Sequence, residues 1–228
     1  MPAVAAKLKM LLPYALLILA GGLTTLAFAP YTLWWLPLLT QALLVFYVQR
    51  ATSVKQACLY GFSYGLGWFG VGISWVHVSI DQFGGLPLAG SLGLMALLVG
   101  YLALFPLLAS GLSYQLRLYR MMPLLFAASW TLAEWLRSVL LTGFPWLSLG
   151  YSQTSAGLKD LAPLIGETGI SFVLAFSAAA LAQLTFKQKP LARYSYVIVA
   201  GIIFAVSPQL TAFKGWQHTD KTLSVLLV

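Results

Sequence analysis

Glu134-Trp135-Leu136-Arg137, then Gly143-Phe144-Pro145-Trp146-Leu147, then Gly150-Tyr151-Ser152-Gln153: here an otherwise apolar run ends in an acid and a base three residues apart, and an aromatic loop follows. The gap from about residue 142 to 160 is the longest between apolar runs. A connection of that length in a compact protein is either functional or disordered. Phe144, Trp146, Leu147, Leu149 and Tyr151 make it too apolar for disorder. Trp and Tyr favour the headgroup level of a bilayer, so the expected picture is a loop lying in a membrane interface, where it can line or cover a lipid entry point.

The rest of the chain explains why a membrane is the right solvent. Charged residues make up 8% of the 228, against about 25% in a soluble domain. So few charges cannot coat a water-facing surface of this size, and a bilayer removes the need for that coat. The net charge of +8 does not point to nucleic acid, because the cations sit in the gaps between apolar runs and not on one polar element. Cys58 is the single cysteine, so no internal disulfide and no cysteine-based metal site can form. His77 and His218 lie far apart and lack a ligand cluster, and no cofactor is expected. Lys7 and Lys9 precede the first apolar run as in a signal peptide. No convincing small-residue cleavage site follows, and the run is expected to be retained as a helix.

Seven apolar runs approach or exceed the roughly 20 residues that a helical span requires. They cover residues 10–28, 32–49, 56–80, 87–116, 122–141, 161–186 and 193–210. The expected fold class is all-α, a polytopic transmembrane helix bundle of about seven spans. Gly21-Gly22 interrupts the first run and Pro30 closes it, so the first two runs read as a helical hairpin that meets the outer surface at Phe28-Ala29-Pro30-Tyr31. The fourth run is too long for a straight span; a kink at Pro106 or a tilt would absorb the excess. Gly61-xxx-Gly65 in the third run fits close helix–helix packing.

Lys and Arg set the orientation. With a cytoplasmic N-terminus, nine of the 13 fall on the cytoplasmic side (Lys7, Lys9, Arg50, Lys55, Arg117, Arg120, Lys187, Lys189, Arg193), and the bias favours that arrangement. The five acids Asp81, Glu134, Asp160, Glu167 and Asp220 then lie on or toward the outer half, and an odd number of spans puts the C-terminus outside. The tail from Lys214 to Lys221 is polar, and residues 222–228 read as a short buried strand. A lone strand is not stable outside a sheet. The division expected is a helical domain over 1–212 and, over 213–228, a linker with the first strand of a truncated extracytoplasmic domain.

The candidate chemistry is sparse. Glu134 and Arg137 are spaced i, i+3 and can pair on one helix face. One reading is a buried ion pair that pins helix to loop; the other is a lipid phosphate on Arg137. Glu167 lies inside an apolar run between Gly166 and Gly169, which makes it a functional candidate by default, although bonding to a neighbouring helix or to the loop explains it more simply. His77, after Trp75-Val76, suits a capping or interfacial role. Cys58 lacks a His or Lys partner to lower its pKa, so it is not expected to be a nucleophile. No nucleotide-binding glycine loop, metal constellation or serine-hydrolase elbow is present.

In order and spacing, several stretches together resemble the membrane domain of bacterial apolipoprotein N-acyltransferase. They are Phe28-Ala29-Pro30-Tyr31, Gly72-Ile73-Ser74-Trp75-Val76-His77-Val78-Ser79, Gly84-Gly85, the opening stretch from Glu134 to Gln153, and Gly166-Glu167-Thr168-Gly169-Ile170-Ser171-Phe172; Ser138 departs from the glycine frequent in the family. The resemblance implies an inner-membrane enzyme of lipoprotein maturation. It would move an acyl chain from phospholipid to the α-amino group of the diacylglyceryl-cysteine of a lipoprotein, through a cysteine thioester in a periplasmic nitrilase-like domain. None of the family's catalytic cysteine, glutamate and lysine can be placed here, and these 228 residues alone are expected to be inactive. The resemblance implies that Phe144, Pro145, Trp146 and Tyr151 shape the outer loop near the lipid entrance, with Tyr31 and Trp75 on the same side. Two other readings stay open: a non-catalytic lipid-binding subunit that partners a separate nitrilase-like protein and, more remotely, a small transporter. Acids clustered toward one face and the lack of a half-repeat weigh against the transporter.

Overall fold

Helices of unequal length follow one another through the computed structural model, which describes residues 2–116, 121–186 and 190–213. The helices are α1 (Pro2–Thr24), α2 (Leu36–Arg50), α3 (Val54–Gly72), α4 (Val76–Gly84), α5 (Leu88–Gln115), α6 (Met122–Val139), α7 (Ala162–Gln183) and α8 (Pro190–Val206). Single 3-10 turns punctuate the connections, and no strand occurs among the described residues. The strand expected over 222–228 lies outside them, as do Arg117, Arg120, Lys187, Lys189, Lys214, Asp220, Lys221 and His218.

Every one of the seven apolar runs contains a helix. Among the described residues, four stretches are long and apolar enough to cross a membrane by length and composition: Met10–Ala27, Leu88–Gln115, Met122–Thr142 and Gly157–Gln183. The second and third runs depart from the expected spans, and the last holds a shorter apolar helix, Tyr194–Leu210. At 1.5 Å per residue, α2 with its 15 residues reaches only about 22 Å, below the roughly 30 Å hydrocarbon core. The third run is not one helix: α3 stops at Gly72, the Ile73 amide bonds back to the Phe69 carbonyl, and a turn over 73–75 leads into the separate helix α4. That helix has no buried residue and ends on Gly85, whose φ of 67° closes it with a left-handed cap. Pro106 does not break α5, which continues as one 28-residue element through it.

The bundle is centred on α3. Its start is capped by Ser53, whose Oγ accepts from the Gln56 amide at 3.2 Å, while the Gln56 side chain reaches back to Thr52. Glycine then lets α3 meet two neighbours at backbone distance. A Cβ at Gly61 would collide with the Pro106 carbonyl of α5, and one at Gly67 with the Ile18 carbonyl of α1. The close approach read from Gly61-xxx-Gly65 is therefore present, with Ala103 of α5 against Gly65. Between these contacts Tyr64, Trp68 and Phe69 are fully buried. Trp68 stacks on Trp130 of α6 with ring centroids 5.6 Å apart. The Tyr64 hydroxyl meets Thr24 Oγ1 at 2.7 Å, and Thr24 meets Thr40 Oγ1 at 2.8 Å, which joins α1, α2 and α3 through hydroxyls that satisfy one another where water is scarce.

Gly67→Leu should destabilise the protein by about 1–3 kcal/mol, the usual cost of overpacking. Gly93→Leu, where an added Cβ meets nothing within 4 Å, should leave the thermal transition in detergent unchanged. Equal transitions for the two variants would show that α1 and α3 do not touch through their backbones.

Candidate functional site

Leaving the C-terminal end of α6, the chain folds back over the helix's own last turn. Arg137, in that turn, is 2% exposed. Its Nη1 donates to the Phe144 carbonyl at 2.8 Å and to the Trp146 carbonyl at 2.5 Å, and the Phe144 amide returns a bond to the Arg137 carbonyl at 2.9 Å. Its Nη2 faces Glu134 Oε1 at 3.5 Å, and its guanidinium lies 5.3 Å from the Phe69 ring centroid. The i, i+3 pair read from the sequence is thus formed and buried. The guanidinium is enclosed and turned toward loop carbonyls.

Glu134 completes the clasp. Its Oε1 accepts from the Leu149 amide at 2.6 Å, so one carboxylate oxygen serves both the arginine and the loop backbone. From the other side, α7 supplies Glu167 and Ser171, one helical turn apart. Ser148 Oγ donates to Glu167 Oε2 at 2.7 Å, and the Gly150 amide donates to Ser171 Oγ at 2.8 Å. Gly166 has φ 66° and ψ 179°, a conformation open to glycine alone, and it breaks α7 just before Glu167. Glu167 therefore stands in the first turn of the resumed helix, where a carboxylate is favoured by the helix dipole. Gly150 has no room for a side chain: a Cβ there would run into the Glu167 carbonyl.

The backbone between these anchors is strained. Leu141, Thr142 and Leu147 have φ of 50°, 72° and 59°. Left-handed conformations at branched residues cost of order 1 kcal/mol or more each and persist only where the surroundings hold them. The bonds from Arg137, Glu134, Glu167 and Ser171 are what holds them. The result is a loop buried at 148–150 and 152–153 that still exposes two large rings: Trp146 is 57% exposed and Tyr151 49%. Phe144 packs against Trp146 with centroids 5.2 Å apart, and Pro145 is exposed beside them.

Of the residues singled out in the sequence, Glu134, Arg137, Phe144, Pro145, Trp146 and Glu167 gather at this loop, with Tyr151 on its far shoulder. Tyr31 lies in the α1–α2 connection, 63% exposed, and that connection is tied to the loop through Gln153 Nε2, which donates to the Trp34 carbonyl at 3.0 Å. Trp75 and His77 sit on the turn and helix beyond α3. His77 Nδ1 meets the Ser74 carbonyl within that turn, a local contact. Ser148, Ser171 and Gln153 are the anchors that sequence reasoning missed. The i, i+4 spacing of Glu167 and Ser171 was the available signal for one of them. Among the described residues no group of three or more His, Cys, Asp or Glu could hold a metal ion.

The chain is similar to known proteins over nearly its whole length. A family model described as "Apolipoprotein N-acyltransferase N-terminal domain" matches residues 20–180. Apolipoprotein N-acyltransferase of Shewanella oneidensis is 44% identical over 214 residues, which cover 91% of this chain and 40% of that protein. The protein of the same name from Vibrio cholerae is 40% identical over 218 residues, covering 91% of this chain and 41% of the relative. The Haemophilus influenzae protein is 36% identical over 222 residues, 94% of this chain and 41% of the relative. The chain thus spans about two fifths of the length of these relatives.

Arg137→Met should leave Glu134 buried without its counter-charge and free two loop carbonyls, at about 3–5 kcal/mol. Glu134→Gln keeps an acceptor for the Leu149 amide and should cost less. Limited proteolysis should cut within 141–153 in the arginine variant well before the wild type does. Equal cutting rates would show that the arginine does not hold the loop.

Proposed function

The chain belongs to the apolipoprotein N-acyltransferase N-terminal domain family, and from that membership we propose that it is the membrane part of an enzyme that moves an acyl chain from phospholipid to the N-terminal amino group of diacylglyceryl-cysteine in lipoproteins. The apolar helices and this membership make the chain a multi-pass membrane protein. The observation that carries the reading is the match over 20–180, which includes the clasped loop, α6 and the start of α7. The catalytic steps fall to the part of the relatives' length that these residues do not cover. In the proposed division, residues 1–212 form the helical domain and 213–228 lead into a nitrilase-like domain.

Loop geometry supports a role at a lipid entrance. A rigidly anchored backbone carries exposed Trp146, Pro145 and Tyr151 at the end of the bundle, the kind of side chains that sit among headgroups. In this reading Phe144, Pro145, Trp146 and Tyr151 shape the entrance, Tyr31, Trp75 and His77 flank it, and Glu134, Arg137 and Glu167 act by positioning. The proposed placement is the bacterial inner membrane, with seven crossings, the N-terminus cytoplasmic and the C-terminus periplasmic. Those crossings are α1, α2, α3, α5, α6, α7 and α8, with the short ones completed by their flanking turns; α4 lies along the outer surface.

A fusion of this chain to the remaining three fifths of the Shewanella oneidensis relative should acylate a diacylated lipoprotein peptide from phospholipid vesicles, while the 228-residue chain alone should not. Turnover by the chain alone, or a folded and inserted but inactive fusion, would overturn the division of labour. For topology, Thr154→Cys on a Cys58→Ala background should react with an impermeant maleimide added to spheroplasts, and Thr52→Cys should react only after lysis. The reverse pattern would invert the orientation.

A further inference from the structure

The clasped loop and the described acids lie toward one end of the bundle: Asp81 follows α3, Glu134 is near the C-terminus of α6, and Asp160 and Glu167 flank the start of α7. The opposite end differs in kind. There α2 stops at Arg50 and α3 starts at Val54. The contact of Phe46 with Phe186, ring centroids 6.1 Å apart, brings the end of α7 beside the end of α2. Helix α5 runs antiparallel to α3, since Gly61 meets Pro106 and Gly65 meets Ala103, so its C-terminus arrives at this end too. Arg50 and Lys55 are both exposed, and neither is paired with a carboxylate among the described residues. The connections over 51–53, 116–121 and 184–189 add Arg117, Arg120, Lys187 and Lys189 in sequence and contain no acid.

Arg50 is more than one cation among several. Its Cζ lies over the Phe46 ring, 3.9 Å from the centroid, and 5.6 Å from the centroid of Phe186. Ring contacts attract the charge and fix the side chain, but they do not use up its N–H groups as a carboxylate would. Arg137 at the other end spends its donors on loop carbonyls; the Arg50 guanidinium makes no hydrogen bond among the described residues. A planar fork held on aromatic rings with its donors free matches a phosphate, which can take two parallel N–H bonds. Every phospholipid carries that phosphate, and the surrounding charge selects among them. With Lys55 five residues on, the positive end of the α3 dipole between the two and no acid nearby, a headgroup carrying its own ammonium is disfavoured and one of net negative charge is favoured. We propose that this end of the bundle binds an anionic phospholipid, its phosphate on the Arg50 guanidinium beside Phe46 and Phe186, with Lys55 and the start of α3 supplying the positive surroundings. The site lies away from the loop, so this lipid is a bound component of the membrane domain and not the acyl donor of the proposed reaction. The proposal requires only that the chain is embedded in a bilayer.

The test uses the purified 228-residue chain and two variants that each remove one positive charge: Arg50→Gln at this end, and Lys159→Gln at an exposed position beside the clasped loop. Each is checked for an unchanged thermal transition. Retention of phosphatidylglycerol and of phosphatidylethanolamine is then compared by native mass spectrometry. The wild type should retain phosphatidylglycerol more tightly. That preference should fall about tenfold in Arg50→Gln, the order of one lost charge-assisted hydrogen bond, and stay unchanged in Lys159→Gln. Equal retention of the two lipids by the folded wild type would overturn the site. So would an equal fall in both variants, which would show that net charge alone sets the preference. Either result leaves the membrane-domain reading intact. Should Arg50→Gln lower the thermal transition through loss of its ring contacts, Lys55→Gln is the substitute, with a fall of about threefold expected for one cation near the headgroup. An unaltered preference in a folded Lys55→Gln would likewise overturn the proposal.

Discussion

A buried guanidinium in a membrane protein must be surrounded by acceptors, and the end of this bundle where α6 meets the loop is built to meet that demand. Arg137 cannot reach water from its place under the loop. It is satisfied by pulling two carbonyls of the loop down onto α6 and by pairing with Glu134. Those two carbonyls sit two residues apart, so the chain between them has to curl, and the left-handed residues that flank the curl follow from it. Reversed cause gives the same picture: a loop forced into this shape by its connections would need a planar, multi-pronged donor beneath it. Lysine, a single compact charge, lacks that fork.

The α6 side alone would leave the second half of the loop loose. Glu167 and Ser171 of α7 hold Ser148 and Gly150, and Gln153 reaches the Trp34 carbonyl of the first hairpin. Three separate parts of the bundle thus grip the first half of one connection, up to Gln153. Its buried anchors are all polar and its exposed crest is aromatic, the opposite of a soluble-protein loop. In the proposed placement that inversion suits an interface with lipid headgroups, because hydrocarbon offers the backbone no partners and aromatic rings favour the headgroup level.

Much of this architecture could be read from the residues, and the parts that could not have a common cause. Apolar runs located the helices, because a span needs length and hydrophobicity and little else. The Gly61 and Gly65 contact was legible from spacing, and the Glu134–Arg137 pair from i, i+3. The break between α3 and α4 was not, since Val76, Val78 and Ile80 continue the apolar character across the turn and nothing in their composition marks a change of direction. The targets of Arg137 were equally invisible. They are backbone carbonyls, which every residue carries, so no side chain announces them. Ser148 and Ser171 were missed because serine is common in membrane helices and loops, and only the fold brings these two against the same stretch of chain.

Order of synthesis gives the α7 anchors a further meaning. The ribosome delivers α1 to α6 and the loop before Glu167 and Ser171 exist in the translocating chain, and the Trp34 carbonyl waits through more than a hundred residues for Gln153. Until α7 enters the bilayer, Ser148 and the Gly150 amide have no partners from that side, and the strained backbone rests on α6 alone. Fastening of the loop is therefore the last step in assembling this part of the chain. A nascent protein arrested before α7 carries its aromatic loop unfastened, a natural handle for the machinery that judges whether a membrane protein is finished.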